Sequence, residues 1–384
     1  MAIISIFGRS SIQSEPLCTG GNNNEIADLF ALFFESNYVN TRLDNRNQNS
    51  VISMVPGFGI GDIDINNDTL LANLKAIKLT FSPGPDNIPS SVLKFCYEPL
   101  GIPLLHLFKL SLNSSTFPSV WKSSHIIPLH KKGSKSNIRN YRGISKLSAI
   151  PKIFEKMIVD VLKFKVLSVL SPFQHGFVSR RSTMTNLLEF SSKVLKGFHE
   201  AKQTDVIYTD FSKAFDSVNH DLLLCKLANI GLPTPLVDWI KSYLSARVQN
   251  VIFNGVISAK DILVSSGVPQ GSHLGPILFN LFINDLPSVI LHSSVSMYAD
   301  DVKIFSTVDP STHGSPLQED LNRLCVWCDR NGLALNCAKC KIMSFSRRHI
   351  VQFSYCLGNT TLERVQINPY VTELLYTSLV HNIL

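Results

Sequence analysis

The chain has 384 residues, of which 45% are hydrophobic and 17% charged, and a formal net charge of +7. This length allows two or three domains or subdomains with their own cores, and the composition excludes a disordered or low-complexity chain. No apolar run reaches the roughly 18 residues that a membrane span needs, so no membrane contact is expected. The N-terminus lacks the features of a secretory signal, which predicts an intracellular protein, in nucleus or cytoplasm.

The first quarter of the chain is mostly helical in its patterning. Residues 1–24 show no usable pattern, whereas EIADLFALFFESNYV predicts an amphipathic helix. The Pro/Gly cluster SPGPDNIPS predicts a turn, which leads into helical patterning from about residue 90 to residue 112. We therefore divide this part into an unassigned segment (1–24) and a helical N-terminal extension (25–110).

A strongly basic block follows between residues 130 and 182. It carries twelve Lys or Arg against only Glu155 and Asp160, a local charge of +10, while the remainder of the chain sums to −3. Such a block is either a solvated surface or a surface that binds a polyanion. Interleaved turn signals and apolar residues favour a folded basic module, for which a nucleic acid is the expected partner.

The centre of the chain mixes strand and helix signals. The stretch DVIYTDFSKAFDSVNHDLLLCKLANIGL predicts a strand ending near Asp210, a loop, and a helix closed by Gly231. VIFNGVIS places Asn-Gly between apolar runs and predicts a β-hairpin. GVPQGSHLGPILFNLFINDLP predicts a glycine-rich loop before an apolar helix. Helices on one face of a small antiparallel sheet make this an α+β fold.

The stretch SVSMYADDVKIFS predicts a second hairpin, with two carboxylates at its tip. Apolar residues alternate up to Ala299 and, in the opposite phase, from Val302, with Asp300 and Asp301 between the two runs. An acidic pair of this kind is either a solvated turn or a site for a divalent cation. Asp210 adds a third carboxylate at a strand end. Two-metal phosphoryl transfer requires such oxygens from more than one chain segment.

Four cysteines form two CxxC pairs separated by eight residues: Cys325, Cys328, Cys337 and Cys340. Paired CxxC units indicate zinc when about 15 to 20 residues separate them. The first pair falls on an apolar helical face, where Cys serves as a small buried hydrophobe. The pattern favours core cysteines and leaves a zinc site as the alternative.

Taken in order, TDFSKAFDSVNH, GVPQGSHLGPILFNLFINDLP, YADD and NGLALNCAKCKIMSFS closely resemble the reverse transcriptases of non-LTR retrotransposons, the jockey-like elements in particular. The upstream segments SPGPDNIP, IPLHKKGSKSNIRNYRGIS and QHGFVSRRSTMTNLL are similar to that family's fingers. The resemblance covers roughly residues 25–365. It implies a right-hand polymerase fold over residues 111–365, with fingers at about 111–200. The implied palm, an antiparallel sheet backed by helices, spans about 201–365.

The resemblance also implies a chemistry, RNA-directed DNA synthesis. It implies an RNA template, a DNA primer and dNTPs as partners, and two Mg²⁺ ions, with Mn²⁺ as a possible substitute. Asp210, Asp300 and Asp301 become the expected metal ligands and catalytic residues, with the Phe211 carbonyl as a further ligand. Metal binding thereby becomes the favoured interpretation of the acidic hairpin.

Other residues receive roles by the same resemblance. Phe215 matches an aromatic steric gate that excludes a ribose 2′-hydroxyl, with core packing as the alternative. Gln270 and Gly271 match the loop that contacts the incoming nucleotide and the template. Basic and aromatic residues expected at the substrates are Arg142, Lys131 and Lys132 for the triphosphate, and Arg181 and Tyr298 for template or primer. Lys339 is expected to protonate the leaving pyrophosphate, with Lys341 as the alternative.

The chain departs from the usual motifs at three positions: Gly143 replaces a proline, Val178 an arginine and Arg180 a glycine. Loss of the arginine predicts a weaker template grip, and a non-glycine at 180 predicts a strained turn.

After residue 365 the resemblance stops. We expect a divergent tail (366–384), a missing or incomplete thumb, and weak, salt-sensitive duplex binding. An endonuclease or other element-encoded domain is expected in trans. A catalytically inactive nucleic-acid-binding remnant is the alternative function. An RNA-dependent RNA polymerase shares the chemistry, but Phe215 argues against it.

Overall fold

The computed structural model describes residues 22–39, 63–308, 315–347 and 350–365. All but three residues of the unassigned segment, and the whole divergent tail, lie outside this part. The described residues form these α-helices: α1 (Asn23–Glu35), α2 (Asn67–Ala76), α3 (Ser90–Phe95), α4 (Tyr97–Asn113), α5 (Ala149–Val166), α6 (Thr183–His199), α7 (His220–Asn229), α8 (Thr234–Leu244), α9 (Leu274–Phe282) and α10 (Ser315–Asn331). Within those ranges no helix has both the length and the apolar character that a membrane crossing requires.

The strands make the fold mixed α+β, as predicted. Their bounds are β1 (Ser123–His130), β2 (Tyr141–Leu147), β3 (Gln203–Thr209), β4 (Arg247–Phe253), β5 (Val256–Ile257), β6 (Ile262–Val264), β7 (Ser294–Tyr298), β8 (Asp301–Val308), β9 (Lys341–Phe345), β10 (Cys356–Leu357), β11 (Thr360–Thr361) and β12 (Glu363–Val365). They form two five-stranded sheets and the small β10–β11 pair.

The first of these, the β1 sheet, has the order β2-β1-β4, with β5 and β6 both paired to β4. Strand β1 runs antiparallel to β2 and parallel to β4. The predicted hairpin is confirmed: Phe253 pairs with Val256, and the two residues between them, Asn254 and Gly255, have φ angles of 48° and 82°. Two positive φ angles are what a two-residue turn of this twist requires.

Helix α1 covers one face of the β1 sheet. Its Phe30 and Phe34 join Ile126 of β1 and Val251 of β4 in one apolar cluster. Gly143 of β2 lies against this cluster, where a Cβ atom would stand 2.8 Å from a methyl of Ile126 and 3.2 Å from the ring of Phe34. The helix and the sheet therefore approach closely because residue 143 has no side chain.

The second sheet, the β3 sheet, has the order β12-β9-β3-β8-β7. Strand β3 lies at its centre, antiparallel to β8 on one side and to β9 on the other. Strands β7 and β8 form the acidic hairpin. Strand β12 runs parallel to β9, so the prediction of an antiparallel sheet is wrong at this edge.

Helices cover both faces of the β3 sheet, and the prediction of helices on one face is wrong. Ile207 of β3 lies in the largest core, with apolar residues of α5 and of α7 to α10. The next residue back, Val206, points to the opposite face and packs with Phe190 of α6 and with Phe305 and Phe345. The reason lies in α6, whose apolar residues recur at helical spacing and need a sheet face to bury them.

Candidate active site

The acidic hairpin turns one residue earlier than its pattern suggested. Tyr298 and Asp301 form its last paired rung, so only Ala299 and Asp300 make the turn. Ala299 has a φ angle of +53°, in the left-handed region that such a turn requires. Asp301 is therefore the first residue of β8, and its side chain is directed by the strand rather than by the loop.

Gln174 holds this turn in place, a role that the sequence did not reveal. Its Oε1 accepts hydrogen bonds from the Ala299 and Gly176 amides, both at 2.8 Å, and its Nε2 donates to the Ala299 carbonyl at 3.3 Å. His175 donates its backbone N–H to the carbonyl of Met297 at 2.9 Å. The motif QHGF thus fixes the hairpin from the side opposite β8.

Asp210 follows β3 directly and is fixed by backbone contacts. Its carbonyl accepts a hydrogen bond from the Asn336 amide at 2.7 Å, and Phe211 forms an isolated antiparallel bridge with Leu335. The bridge uses the carbonyls of Asp210 and Ala334, which leaves that of Phe211 outside it. Lys339 donates from Nζ to the Asp210 Oδ2 at 2.9 Å. Lys341, the alternative, pairs instead with Glu363.

The three carboxylates are close enough to perturb one another. Burial raises the pKa of Asp300, the charge of Asp210 raises it further, and Arg142 opposes the shift. Burial also raises the pKa of Asp301, as do the charges of Asp300 and Asp210. Like charges held together in this way favour a proton or a cation.

Basic residues of the β1 sheet face the carboxylates. Arg142 on β2 is exposed, and its charge acts on Asp300 and Asp301. Burial lowers the pKa of Lys131, and repulsion by Arg142 and Lys339 lowers it further. Lys132 is exposed beside Lys131. The structure therefore brings Arg142 and Lys131 to the carboxylates, whereas it gives Lys132 no described contact there.

Phe215 and the glycine-rich loop are adjacent, because the Val268 amide donates to the Phe215 carbonyl at 2.8 Å. Phe215 is partly buried and stacks on Phe279 of α9, with ring centroids 4.4 Å apart, so both of its predicted roles, packing and gating, stay open. The Gln270 carbonyl accepts from the Ser145 amide at 2.9 Å. Gly271 has a φ angle of +110°, and a Cβ there would stand 2.7 Å from the Ser145 carbonyl oxygen.

Asp216 lies beneath this loop, in contact with Gly267. Burial raises its pKa to about 6, although the Asn37 amide donates to its Oδ2 at 3.5 Å. Ser266 Oγ donates to the Asp216 carbonyl at 2.6 Å and accepts from the Val39 amide at 2.9 Å. The segment after α1 is therefore tied to the loop that carries Gln270.

Of the two residues expected at template or primer, Tyr298 lies at a cleft and Arg181 does not. Tyr298 lines an open cleft of about 580 Å³, together with Asp210, Asp301 and Lys339. Arg181 does not line it: its Nη1 donates to the carbonyls of three residues, Ser171, Pro172 and Gln174, at 2.6–2.9 Å. Any contact with a template would have to use the remaining nitrogens of that guanidinium.

The two other unusual positions near Arg181 have visible consequences. Val178 is buried. Arg180 has a φ angle of +64°, so the predicted strain at this position is confirmed.

The cysteines of the two CxxC pairs are free, with Cys328 and Cys340 buried. Across the described residues, no three His, Cys, Asp or Glu side chains are already arranged to hold a metal ion.

The carboxylates nevertheless fit a hard divalent cation by their chemistry. Asp210, Asp300 and Asp301 supply oxygen donors, which Mg²⁺ prefers. Their mutual repulsion, seen in the raised pKa of Asp301, is the condition that a bound cation relieves. Lys339 now supplies positive charge to Asp210.

Comparison with known proteins shows the family of this chain. Residues 129–368 match the family model described as reverse transcriptase (RNA-dependent DNA polymerase). The chain belongs to the reverse transcriptase family.

Its relatives come from non-LTR retrotransposons, as the sequence motifs indicated. The probable RNA-directed DNA polymerase from transposon BS of Drosophila melanogaster is 30% identical over 280 residues, 70% of this chain and 31% of the relative. The RNA-directed DNA polymerase from mobile element jockey of the same species is 29% identical over 288 residues, 71% of this chain and 31% of the relative. The chain thus spans about 31% of the length of these two relatives.

Proposed function

We propose that this chain is an RNA-directed DNA polymerase domain, which adds dNTPs to the 3′-hydroxyl of a DNA primer on an RNA template. One observation carries the proposal. Asp210 at the end of β3 and the Asp300–Asp301 hairpin bring carboxylates from two chain segments together, facing Arg142 of a second sheet. Membership of the reverse transcriptase family supports it.

In this proposal the β3 sheet, with α6 and the helices of the largest core, is the palm. The β1 sheet, with α1, belongs to the fingers. The carboxylates would lie on the palm and the triphosphate-binding cations on the fingers, so a nucleotide binds between the two sheets.

Asp210, Asp300 and Asp301 would hold two Mg²⁺ ions, with the Phe211 carbonyl as a further ligand. When bound, such ions lower the pKa of the attacking hydroxyl and neutralise charge on the leaving pyrophosphate. The clamp by Gln174 keeps the hairpin carboxylates in one position, which a site of defined geometry requires. Lys339 already donates to Asp210, and we assign it the proton given to pyrophosphate.

The remaining residues would position the nucleotide. Arg142, with Lys131 and Lys132, would bind the triphosphate, for which a guanidinium is suited by its paired donors. Gln270 and Gly271 would contact the base pair through a backbone already fixed to Ser145. Phe215, held by its stack on Phe279, would exclude a ribose 2′-hydroxyl.

The decisive experiment is primer extension on an RNA template with dNTPs and Mg²⁺ at low salt. Asp300→Asn removes one carboxylate charge at nearly constant shape, and Asp238→Asn, on an exposed position of α8, is the matched control. We expect extension by the parent and by Asp238→Asn, and a loss of at least 100-fold in Asp300→Asn, because a metal ligand is lost.

The second candidate is the inactive nucleic-acid-binding remnant, which the ion pair between Lys339 and Asp210 favours because it occupies a ligand oxygen. If all three proteins bind a primer–template duplex and none extends it, the remnant is the correct description. If the parent and Asp300→Asn extend equally, the assignment of the carboxylates is wrong.

A further inference from the structure

Lys303 is a cation on the floor of the cleft for which neither the sequence nor the family match gives a role. It lies on β8 two residues after Asp301, so the two side chains leave the strand on the same face, about 7 Å apart along it. Its neighbours across the sheet are Tyr208 of β3 and Ser296 of β7. Lys303, Tyr208 and Asp301 all line the cleft of about 580 Å³.

The ammonium group of Lys303 is held in a fixed direction. Its Nζ donates to Asn186 Oδ1 at 2.9 Å and lies over the ring of Phe190, 5.3 Å from the centroid. Asn186 is itself fixed, because its Nδ2 donates to Ser296 Oγ at 2.7 Å and to the Met297 carbonyl at 3.1 Å. Helix α6 thus fixes the position of a cation on the floor of the cleft.

Lys303 forms no ion pair within 4.0 Å in the part of the chain that the structure describes. Its one hydrogen-bond partner there, the Asn186 amide, is neutral, and the Asp301 carboxylate acts on it only from a longer distance. An ammonium has three donors, and the hydrogen bond to Asn186 uses one of them. A half-buried cation with a neutral partner costs desolvation energy that an apolar side chain would avoid. An anion that binds beside Lys303 would offset this desolvation cost.

We propose that Lys303, positioned by Asn186, binds a backbone phosphate of the primer strand close to its 3′ end. The proposal rests on the proposed function, since it assumes that the primer 3′-hydroxyl reaches Asp210 and Asp301. The strand whose end lies at those carboxylates is the primer, and Lys303 follows Asp301 on the same face. Arg142 and Lys131 do not line this cleft, so the triphosphate and the primer would bind to separate cations.

The first test measures binding of a fluorescent primer–template duplex by anisotropy, with Mg²⁺ and without dNTP. Lys303→Met removes the charge and keeps the stem, and Lys303→Arg keeps the charge. Lys193→Met makes the same charge change at an exposed position of α6, seven residues beyond Asn186. Thermal unfolding of each variant is compared with the parent, so that affinities are read only on folded protein.

We expect Lys303→Met to weaken duplex binding about tenfold, since a charge-assisted hydrogen bond to phosphate is lost. The slope of log affinity against log salt concentration should become shallower by about 1, which is the change expected when one phosphate contact is lost. Lys303→Arg should bind within about threefold of the parent, and Lys193→Met should match it.

The second test locates the phosphate. Duplexes carry a single uncharged methylphosphonate linkage, at each of the last four primer positions or at the facing template positions. One primer linkage should weaken binding by the parent about tenfold and leave Lys303→Met unaffected. Sensitivity confined to the template strand, or a Lys303→Met variant as sensitive as the parent at every linkage, overturns the proposal.

Failure of the underlying function has a different signature. A parent that neither binds nor extends the duplex refutes the polymerase assignment, and this proposal with it. A parent that extends primers while Lys303→Met and Lys193→Met bind equally well refutes only the role of Lys303.

Discussion

Asp216 offers a prediction whose size follows from its surroundings. The carboxyl lies beneath the Gly267–Gly271 loop, and burial raises its pKa from 3.8 to about 6. Between these two pH values the folded protein binds more protons than the unfolded chain, so stability falls as pH rises through this window. A shift of about 2 units corresponds to about 3 kcal/mol, since one unit is about 1.4 kcal/mol. Below pH 3.8 this loss of stability is absent, and above pH 6 it is complete.

The substitution Asp216→Asn removes the titrating group at nearly the same shape. We expect the variant to be about as stable as the parent near pH 4, and more stable by up to about 3 kcal/mol at pH 8. Urea unfolding at several pH values between 4 and 8 measures the difference, with Asp238→Asn on α8 as the control for removal of a carboxylate. A parent-to-variant difference that stays constant over this range would show that the Asp216 carboxyl does not titrate between these values.

Three further outcomes follow from local geometry. Arg180→Gly should stabilise the protein by about 1 kcal/mol in urea unfolding, because a left-handed φ is costly for a side chain; a destabilised variant would show that packing of the side chain outweighs the strain. Phe215→Ala should raise the ratio of rNTP to dNTP incorporation at least tenfold. It should also lower the free energy of unfolding by about 2 kcal/mol, because the stack on Phe279 is lost. An unchanged incorporation ratio would show that Phe215 serves only in packing. Lys339→Met should slow extension, because the proposed proton donor is lost, and should change stability by less than about 1 kcal/mol. It should also lower the Mg²⁺ concentration for half-maximal extension, because the ammonium no longer competes for Asp210; an unchanged Mg²⁺ requirement contradicts that competition.

Local patterning predicted where the strands and turns of this fold lie better than it predicted which strands pair with each other. The alternation around the YADD motif located β7 and β8, and Asn254-Gly255 located the β4–β5 turn. The same alternation could not divide Asp300 from Asp301, because both interrupt the apolar pattern equally. The central place of β3, and the parallel pairing of β12, depend on contacts between distant segments. No periodicity within one segment records such contacts.

In the candidate site, too, the sequence predicted some residues and not others. Asp210, Asp300, Asp301 and Arg142 come together as expected, because their residue types and order carry the signal. Gln174 and Lys303 were missed for a physical reason. A buried glutamine in a loop and a lysine on a strand have many ordinary fates, and only the three-dimensional partners of each, the Ala299 amide and Asn186, distinguish them.

The pairing of β3 with strands much later in the chain has a consequence for biosynthesis. Its partners are complete only at residues 308 and 345, about 100 and 136 positions after β3 ends. At ribosomal rates of about 5–20 residues per second, β3 waits roughly 7 to 27 s for both edges to be paired. Until residue 308 is made, Val206 and Ile207 have neither sheet partner, so the nascent chain exposes an unpaired apolar strand. Chaperone capture at this stage is expected to govern how much folded protein a cell recovers.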